Sequence, residues 1–356
     1  MSEVRAKKAL GQHFLVDLNI ARKICDALSG GVRPEAGAET RAVAAGSADA
    51  DAEIRTRVAG YAGAGAEART MAVGSADAWA EARTKATGTA DADAETRRGV
   101  VASADARLAA DTTAAGAPAA AEEERSGAVP CDVLEVGCGM GVLTQFLLRR
   151  GDITTYGAEI DPESVEYLHA HFPEFAPRLI EGDFLKMNLR ERFPRGLKII
   201  GNFPYNISSQ IFFKVLEHRD LVPECVGMIQ KEVAVRIAEP PGSKEYGILS
   251  VLLQAWYDIE YLFTVNETVF NPPPKVKSAV IRLRRNSVGR LGCDEALFVK
   301  VVKASFGQRR KMIRNSLRAV FGDFGGAEHP FFTQRAEQLS VADFVQLTNW
   351  VAANRK

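Results

Sequence analysis

Val133-Leu-Glu-Val-Gly-Cys-Gly-Met-Gly141 passes from a short apolar strand through a glycine turn into helical sequence. Glycines at such a turn let the backbone approach a ligand closely, as nucleotide-binding βα units require. Downstream of Gly141 the chain keeps alternating between strand and helix. Strands are expected at 132–136, 153–160, 178–181, 197–201 and 225–230, with helices at 141–150, after Asp161-Pro162, at 207–217 and in the run up to residue 255. Two more strands, 257–265 and 278–283, fit an antiparallel edge, and 16–28 reads as a helix with Ile20, Ile24 and Leu28 on one face. The pattern implies an α/β fold with a mostly parallel, doubly wound sheet. From about Asp294 the signal is helical throughout, so residues 286–356 are expected to form a small C-terminal α-helical domain after a catalytic domain at 127–285.

The 356 residues carry 45 basic and 45 acidic side chains, and this balance hides a segregation. Residues 34–126 hold 10 Lys/Arg against 16 Asp/Glu, whereas 271–318 hold 13 against 2, a local excess that points to a polyanionic partner. No apolar stretch reaches the ~18–20 residues of a membrane helix, and no apolar run follows the basic N-terminus as a secretory signal would require. Five widely spaced cysteines without a Cys-x-x-Cys pair indicate neither a metal site nor a disulfide framework. A soluble, cytoplasmic protein without membrane attachment is expected, and nothing suggests an oligomer, so a monomer is assumed.

Residues 34–126 stand apart, with 33 alanines in 93 residues and a 14-residue repeat starting at Gly46, Gly60, Gly74 and Gly88. Each unit has Glu eighth (Glu53, Glu67, Glu81, Glu95) and Arg tenth (Arg55, Arg69, Arg83, Arg97). An i,i+2 pair does not meet on a helix, and the units lack the apolar face that stacked repeats need. The segment is expected to be a disordered or partly helical insertion.

The chemistry lies at successive strand ends. Glu159, 22 residues after Gly137, closes the second strand where an acidic side chain can hold ribose hydroxyls. Asp183, in Glu181-Gly-Asp-Phe184, can accept from an adenine amine, with Phe184 beside the ring. The fourth strand runs into Gly201-Asn-Phe-Pro-Tyr-Asn206, which distinguishes S-adenosylmethionine from NAD chemistry. An exocyclic amine attacks poorly because its lone pair is delocalised into the purine. The Asn202 side-chain carbonyl and a backbone carbonyl flanking Pro204 can each take one amine N–H and free that lone pair for the methyl group. Tyr205 can stack on the base, as aromatic side chains do with extruded nucleotides.

Four stretches together resemble the KsgA/RsmA family of small-subunit rRNA adenine N6,N6-dimethyltransferases. They are Lys7-Lys-Ala-Leu-Gly-Gln-His-Phe-Leu15, Glu135 to Gly141, Asn202 to Ser208, and Phe270-Asn-Pro-Pro-Pro-Lys-Val-Lys-Ser278. The resemblance spans residues 5–33 and about 129–350, and implies a Rossmann-like, S-adenosylmethionine-dependent methyltransferase sheet. It implies that residues 1–33 form a cofactor- and RNA-contacting segment, in which His13 and Leu15 touch the cofactor. Gly137 would approach the methionine part, Glu159 the ribose and Asp183 the adenine. Asn202 would lie between cofactor and amine, with Pro204 and Tyr205 beside it and Phe270 over the other face of the base. His13 stands where many members have Asn, and Phe203 where Leu is common. The implied substrate is a hairpin loop near the 3′ end of 16S rRNA in a precursor 30S subunit, with two adjacent adenines each dimethylated. Residues 305–314 are expected to start a helix facing rRNA phosphates through Arg309, Arg310, Lys311 and Arg314, with Arg310 and Arg314 on one face. A large-subunit rRNA methyltransferase of the antibiotic-resistance type, or a non-catalytic assembly or transcription factor, are the alternatives.

Overall fold

The computed structural model describes residues 7, 10–30, 130–308 and 310–355. The repeat expected at 34–126 and Arg309 lie outside the described residues. In chain order the elements are β1 (Phe14–Leu15), α1 (Leu18–Asp26), β2 (Cys131–Val136), α2 (Thr144–Leu147), β3 (Ile153–Glu159), α3 (Pro162–His171), β4 (Leu179–Glu181), α4 (Leu189–Arg192), β5 (Lys198–Asn202), α5 (Ser208–Glu217), β6 (Glu224–Gln230), α6 (Lys231–Ala238), α7 (Ile248–Gln254), β7 (Tyr257–Val265), β8 (Phe270–Asn271), β9 (Ser278–Arg285), α8 (Glu295–Gly307), α9 (Ile313–Phe321) and α10 (Val341–Asn354).

Seven strands form one sheet in the order β4-β3-β2-β5-β6-β9-β7, and β1 pairs separately with β8. The first five strands are mutually parallel; β9 is antiparallel to both β6 and β7. Every residue of β2 is buried, as expected for a parallel strand covered on both faces. Its alternation serves two cores. Leu134 and Val136 join one apolar cluster with Ile199 and Cys225, while Val133 joins the other with Ile200 and Val226. From β2 the chain builds outward to β3 and β4, then returns to build β5 and β6 on the opposite side. The crevice between the carboxyl ends of β2 and β5 is therefore the topological switch point, where open α/β sheets bind ligands.

The helix expected at 141–150 is reduced to Thr144–Leu147. Gly137, Gly139 and Gly141 all have left-handed φ (76°, 53° and 75°), so the turn is too long for helix to begin at Gly141. The helical start expected at 305–314 is also corrected. α8 ends at Gly307 and α9 begins at Ile313, with a turn between them in which the Lys311 N–H donates to the Gln308 carbonyl at 2.7 Å. Gln308 leaves helical backbone at φ −127°, ψ 67°, and α9 packs back against α8, so that Ile313 and Leu317 enter the same core as Phe298, Val301 and Val302. Arg310 and Arg314 therefore share no helical face. The same core continues from Leu134 and Ile199 to Leu347 and Val351, so the C-terminal helices share it with the sheet rather than enclosing one of their own. Phe298 meets Trp256 edge-on at 6.0 Å, a contact worth ~0.5–1.5 kcal/mol beyond its burial.

α1 is capped at its start by Asp17, whose Oδ1 accepts from the N–H groups of Asn19 (2.8 Å) and Ile20 (3.1 Å). Beyond its end, three cations collect the orphan carbonyls. Arg150 donates to Cys25 and Leu28, Arg282 to Ala27, and Lys198 to Ser29 and Gly30, all at 2.9–3.1 Å. Buried Glu224 balances Lys198 at 3.0 Å and accepts from the Ser29 N–H at 3.1 Å.

Lys198 and Glu224 open their strands, as Cys131 does. Gly30 and Pro130 thus both sit at the amino-terminal edge of the parallel strands, away from the carboxyl-edge crevice. Removing residues 36–126 leaves eight residues (31–35 and 127–129), which span up to ~27 Å when extended. The shortened protein is expected to keep its fold and its cofactor affinity, and to be more stable than full length by about 2 kcal/mol, because closing the shorter loop costs less entropy. Denaturant unfolding and calorimetry check this.

Candidate active site

Gly137 and Asn202 face each other across the crevice. The left-handed φ of Gly137 turns the chain sharply after β2, and its N–H donates to the Ala158 carbonyl at 2.9 Å. A Cβ placed there would meet nothing nearer than Pro204 Cδ at 3.8 Å and the Asn202 carbonyl at 3.9 Å. The glycine turn and the Asn-Phe-Pro turn therefore abut. Phe203, the apolar residue between Asn202 and Pro204, anchors its turn in the core against Phe212 and beneath Gly201 and Gly227. A Cβ on Gly227 would lie 2.4 Å from the Phe203 ring.

Glu159 is 4% exposed and held by three backbone N–H groups: Gly139 donates to Oε2 at 2.8 Å, and Ile160 and Asp161 donate to Oε1 at 2.9 Å each. Burial raises its pKa, and these three donors work against that rise. Oε2 keeps capacity for a hydroxyl. Asp183 uses Oδ1 to cap the following turn, accepting from the Leu185 N–H at 2.9 Å, while Oδ2 stands 3.8 Å from Lys186. Phe184, expected beside an adenine, is 4% exposed and belongs to the core, with the Lys214 ammonium 5.5 Å from its ring.

The N-terminal segment lies across these strand ends. Asn202 Nδ2 donates to the His13 carbonyl at 3.0 Å, which fixes the amide orientation and leaves Oδ1 without a partner among the described residues. The His13 ring is 5.4 Å from the Tyr205 ring at 30°, and its Nδ1 donates to the Pro272 carbonyl at 2.9 Å. Lys7 and Gln12 both donate to Asp161, which is fully buried, and Lys7 also reaches Glu163 at 3.0 Å. Burial pushes the Asp161 pKa up, but donors from Lys7, Gln12 and Ser164 outweigh it and hold the carboxyl below its ordinary range. Gly11 has φ 64° and is pressed so close to Asn206 that a Cβ would stand 2.7 Å from Oδ1.

Two expected contacts are placed differently. Leu15 is 2% exposed and packs in the core; Phe14 is the side chain that reaches the glycine turn, 3.2 Å from where a Gly139 Cβ would stand. Phe270, expected to cover the base, is 3% exposed in the same cluster as Leu15, its partner across the β1–β8 pair. Its ring offers no open face because that strand pairing draws it inward. Tyr205 is half-buried, with its hydroxyl bonded to Ser278 Oγ, and burial raises its pKa so that it stays a neutral phenol. Of the expected RNA-binding cluster, Arg314 is paired with Glu328, and Arg310 and Lys311 lie exposed on the turn before α9.

The donor set fits S-adenosylmethionine: an open glycine cradle, a backbone-oriented carboxylate for vicinal hydroxyls, and a second carboxylate oxygen beyond it. The model of the ribosomal RNA adenine dimethylase family matches residues 130–353. The chain belongs to that family. A ribosomal RNA small subunit methyltransferase A from Parabacteroides distasonis is 61% identical over 218 residues, covering 61% of this chain and 81% of that protein. Its counterpart in Bacteroides thetaiotaomicron is 60% identical over 221 residues, with 62% and 82% coverage. The crystal structure of a dimethyladenosine transferase from Plasmodium falciparum matches with a TM-score of 0.53 at 26% identity, over 63% of this chain and 90% of that one. As a ribosomal RNA adenine dimethylase, the protein is an S-adenosylmethionine-dependent methyltransferase, and its α/β sheet is the Rossmann-like one expected of that class. No helix among the described residues is long and apolar enough to cross a membrane.

One buried acid carries no signal of its own in the sequence. Glu135, at the end of β2, is 1% exposed, and its Oε2 accepts from Thr144 Oγ at 2.6 Å. Burial pushes its pKa to about 8; the Thr144 hydroxyl lowers it and the nearby Glu159 charge raises it. The folded value thus lies above the ordinary one near 4.5. Below the ordinary value the group is protonated in both states; as pH rises the unfolded chain ionises first, so stability falls until pH passes the folded value. Between pH 5 and 8 this group should cost on the order of 3–5 kcal/mol. Glu135→Gln, which can still accept from Thr144, is expected to flatten that part of the profile and to be more stable than wild type at pH 8. Denaturant unfolding across this range decides it, and identical slopes would be the contrary result.

Proposed function

We propose that this protein dimethylates the N6 amines of two adjacent adenosines in a hairpin loop near the 3′ end of small-subunit rRNA, within a precursor 30S subunit, acting as a monomer in the cytoplasm. The observation that carries the reading is the Asn202 amide, held by the His13 carbonyl with Oδ1 turned free. An amide so fixed is an acceptor set in place before the substrate arrives, and such preorganisation is the main source of transition-state stabilisation in enzymes.

S-adenosylmethionine, when bound, supplies a methyl group activated on a sulfonium. Asn202 Oδ1 accepts one N–H of the target amine. The Pro204 carbonyl accepts from the Ile207 N–H at 3.1 Å and the Tyr205 carbonyl from Ser208 Oγ at 3.2 Å, and the Phe203 carbonyl, with no partner among the described residues, serves as the second acceptor. Pro204, lacking an N–H, adds no donor to compete with the amine at this point. Two acceptors draw the nitrogen out of conjugation with the ring, and Tyr205, pinned through its hydroxyl, holds the base plane. The alkylated nitrogen sheds its proton readily, so no general base is needed. Loop adenines suit this site because an unpaired base costs less to extrude.

The names of the relatives support the small subunit as substrate over large-subunit RNA, and the intact acceptor pair argues against a non-catalytic role. Methyl incorporation from labelled cofactor into undermethylated small subunits, compared with naked large-subunit RNA, tests the substrate. Mapping dimethyladenosine in the product rRNA tests the position. Asn202→Ala is expected to abolish methyl transfer while leaving cofactor affinity within roughly tenfold, because its contact is with the amine and strengthens in the transition state. Activity within about threefold of wild type would remove Asn202 from this role.

A further inference from the structure

Of the 13 basic residues between 271 and 318, several serve the fold. Arg282 holds Glu260 and the Ala27 carbonyl, Arg284 lies within 4.0 Å of Glu224 and Glu260, and Arg285 donates to the Trp256 carbonyl. Arg314 and Arg318 pair with Glu328 and Asp323. Lys275 and Lys277 are exposed, and their ammonium groups make no hydrogen bond, ion pair or ring contact with any described residue; the same holds for Lys231, which follows β6.

These three lysines share one place. The Lys231 N–H donates to the Lys277 carbonyl at 2.9 Å, extending the β6–β9 ladder one step past the Gln230–Ser278 pair. Ser278 in turn holds the Tyr205 hydroxyl. The loop carrying Lys275 and Lys277 begins at Pro272, whose carbonyl accepts from His13. β6 adjoins β5, with Met228 opposite Asn202. Lys231, Lys275 and Lys277 therefore stand around the side of the crevice where Tyr205 receives the base.

We propose that Lys231, Lys275 and Lys277 form a phosphate-binding rim that grips the RNA backbone on either side of the extruded adenosine. The inference rests on the RNA substrate proposed for this site and adds where its backbone runs. An extruded nucleotide stays covalently joined to the phosphates flanking it, so anionic groups must pass close to the mouth of the site. Lysine suits the task as a mobile point charge that reads no sequence, and phosphate contacts set the register of a strand without selecting bases. Unpaired ammonium groups gain most, because no protein carboxylate has to be released. Val276, exposed between two of them, offers apolar surface to a neighbouring sugar or base.

The test is the combined variant Lys231→Gln, Lys275→Gln, Lys277→Gln in the full chain. Its binding to undermethylated small subunits is measured from low to high salt, with calorimetry of S-adenosylmethionine binding as the control for folding. Three lost phosphate contacts on a single strand should lower the slope of log K against log salt by about two. Affinity at low salt should fall at least tenfold, and the single-turnover methylation rate should fall with it. Cofactor affinity should stay at the wild-type value, and replacing all three with Arg should restore the slope. An unchanged slope with intact cofactor binding would overturn the rim. If wild type methylates naked large-subunit RNA instead, the substrate reading fails separately and the slope comparison is made on that RNA.

Discussion

The hydrogen bond from Asn202 Nδ2 to the His13 carbonyl joins the two parts of the chain on which the site depends. Asn202 ends a central strand, and its backbone is fixed by Phe203 in the core below. His13 belongs to a segment held at both ends: Lys7 and Gln12 meet Asp161 at one, and Leu15 pairs with Phe270 at the other. The bond thus carries the rigidity of the sheet into a side chain that would otherwise rotate. Without the segment, the amide could present either its oxygen or its nitrogen to the crevice, and only the oxygen accepts an amine proton. On the proposed mechanism, activity then depends on the N-terminal segment as much as on the strand end.

Much of the fold was legible because burial writes itself into sequence. β2 closes on a glycine, β3 on an acid and β5 on Asn-Phe-Pro, and these strands and β6 each appear within about a residue of their expected bounds. Gly137, Glu159, Asp183 and Asn202 end successive strands, so strand order alone brings them to one edge. Other features depend on contacts between residues far apart in the chain. No spacing rule links Lys7 to Asp161 or Tyr205 to Ser278. The helix expected at 305–314 had the right composition, yet the chain turns at Gln308 so that α9 can fold back on α8, a contact that helical periodicity does not report. Phe270 reads as an aromatic near the site, but whether its ring faces a ligand or the interior is decided by pairing with β1.

The same distinction applies to charge. Counting 13 cations between residues 271 and 318 locates a basic region but not its function. Only the structure separates arginines that tie strands together from lysines that face solvent unpaired. Arg282 and Arg285 reach inward to backbone carbonyls and Arg284, Arg314 and Arg318 pair with carboxylates, while Lys275 and Lys277 stay outside, in keeping with the heavier hydration of an ammonium. A neutral isoelectric point conceals both populations.

Arg150, Arg282 and Lys198 give the joint after α1 a further meaning. Because side chains hold residues 25–30 to the sheet, α1 is anchored by contacts of its own, independently of the connection that follows Gly30. Lengthening such a connection costs free energy only as the logarithm of its length. Each added 14-residue unit between Gly30 and Pro130 would then cost no more than about 1 kcal/mol, and less with every repeat. The joint acts as a seam in the molecule, a point at which sequence can accumulate by drift while the catalytic body around it stays under constraint.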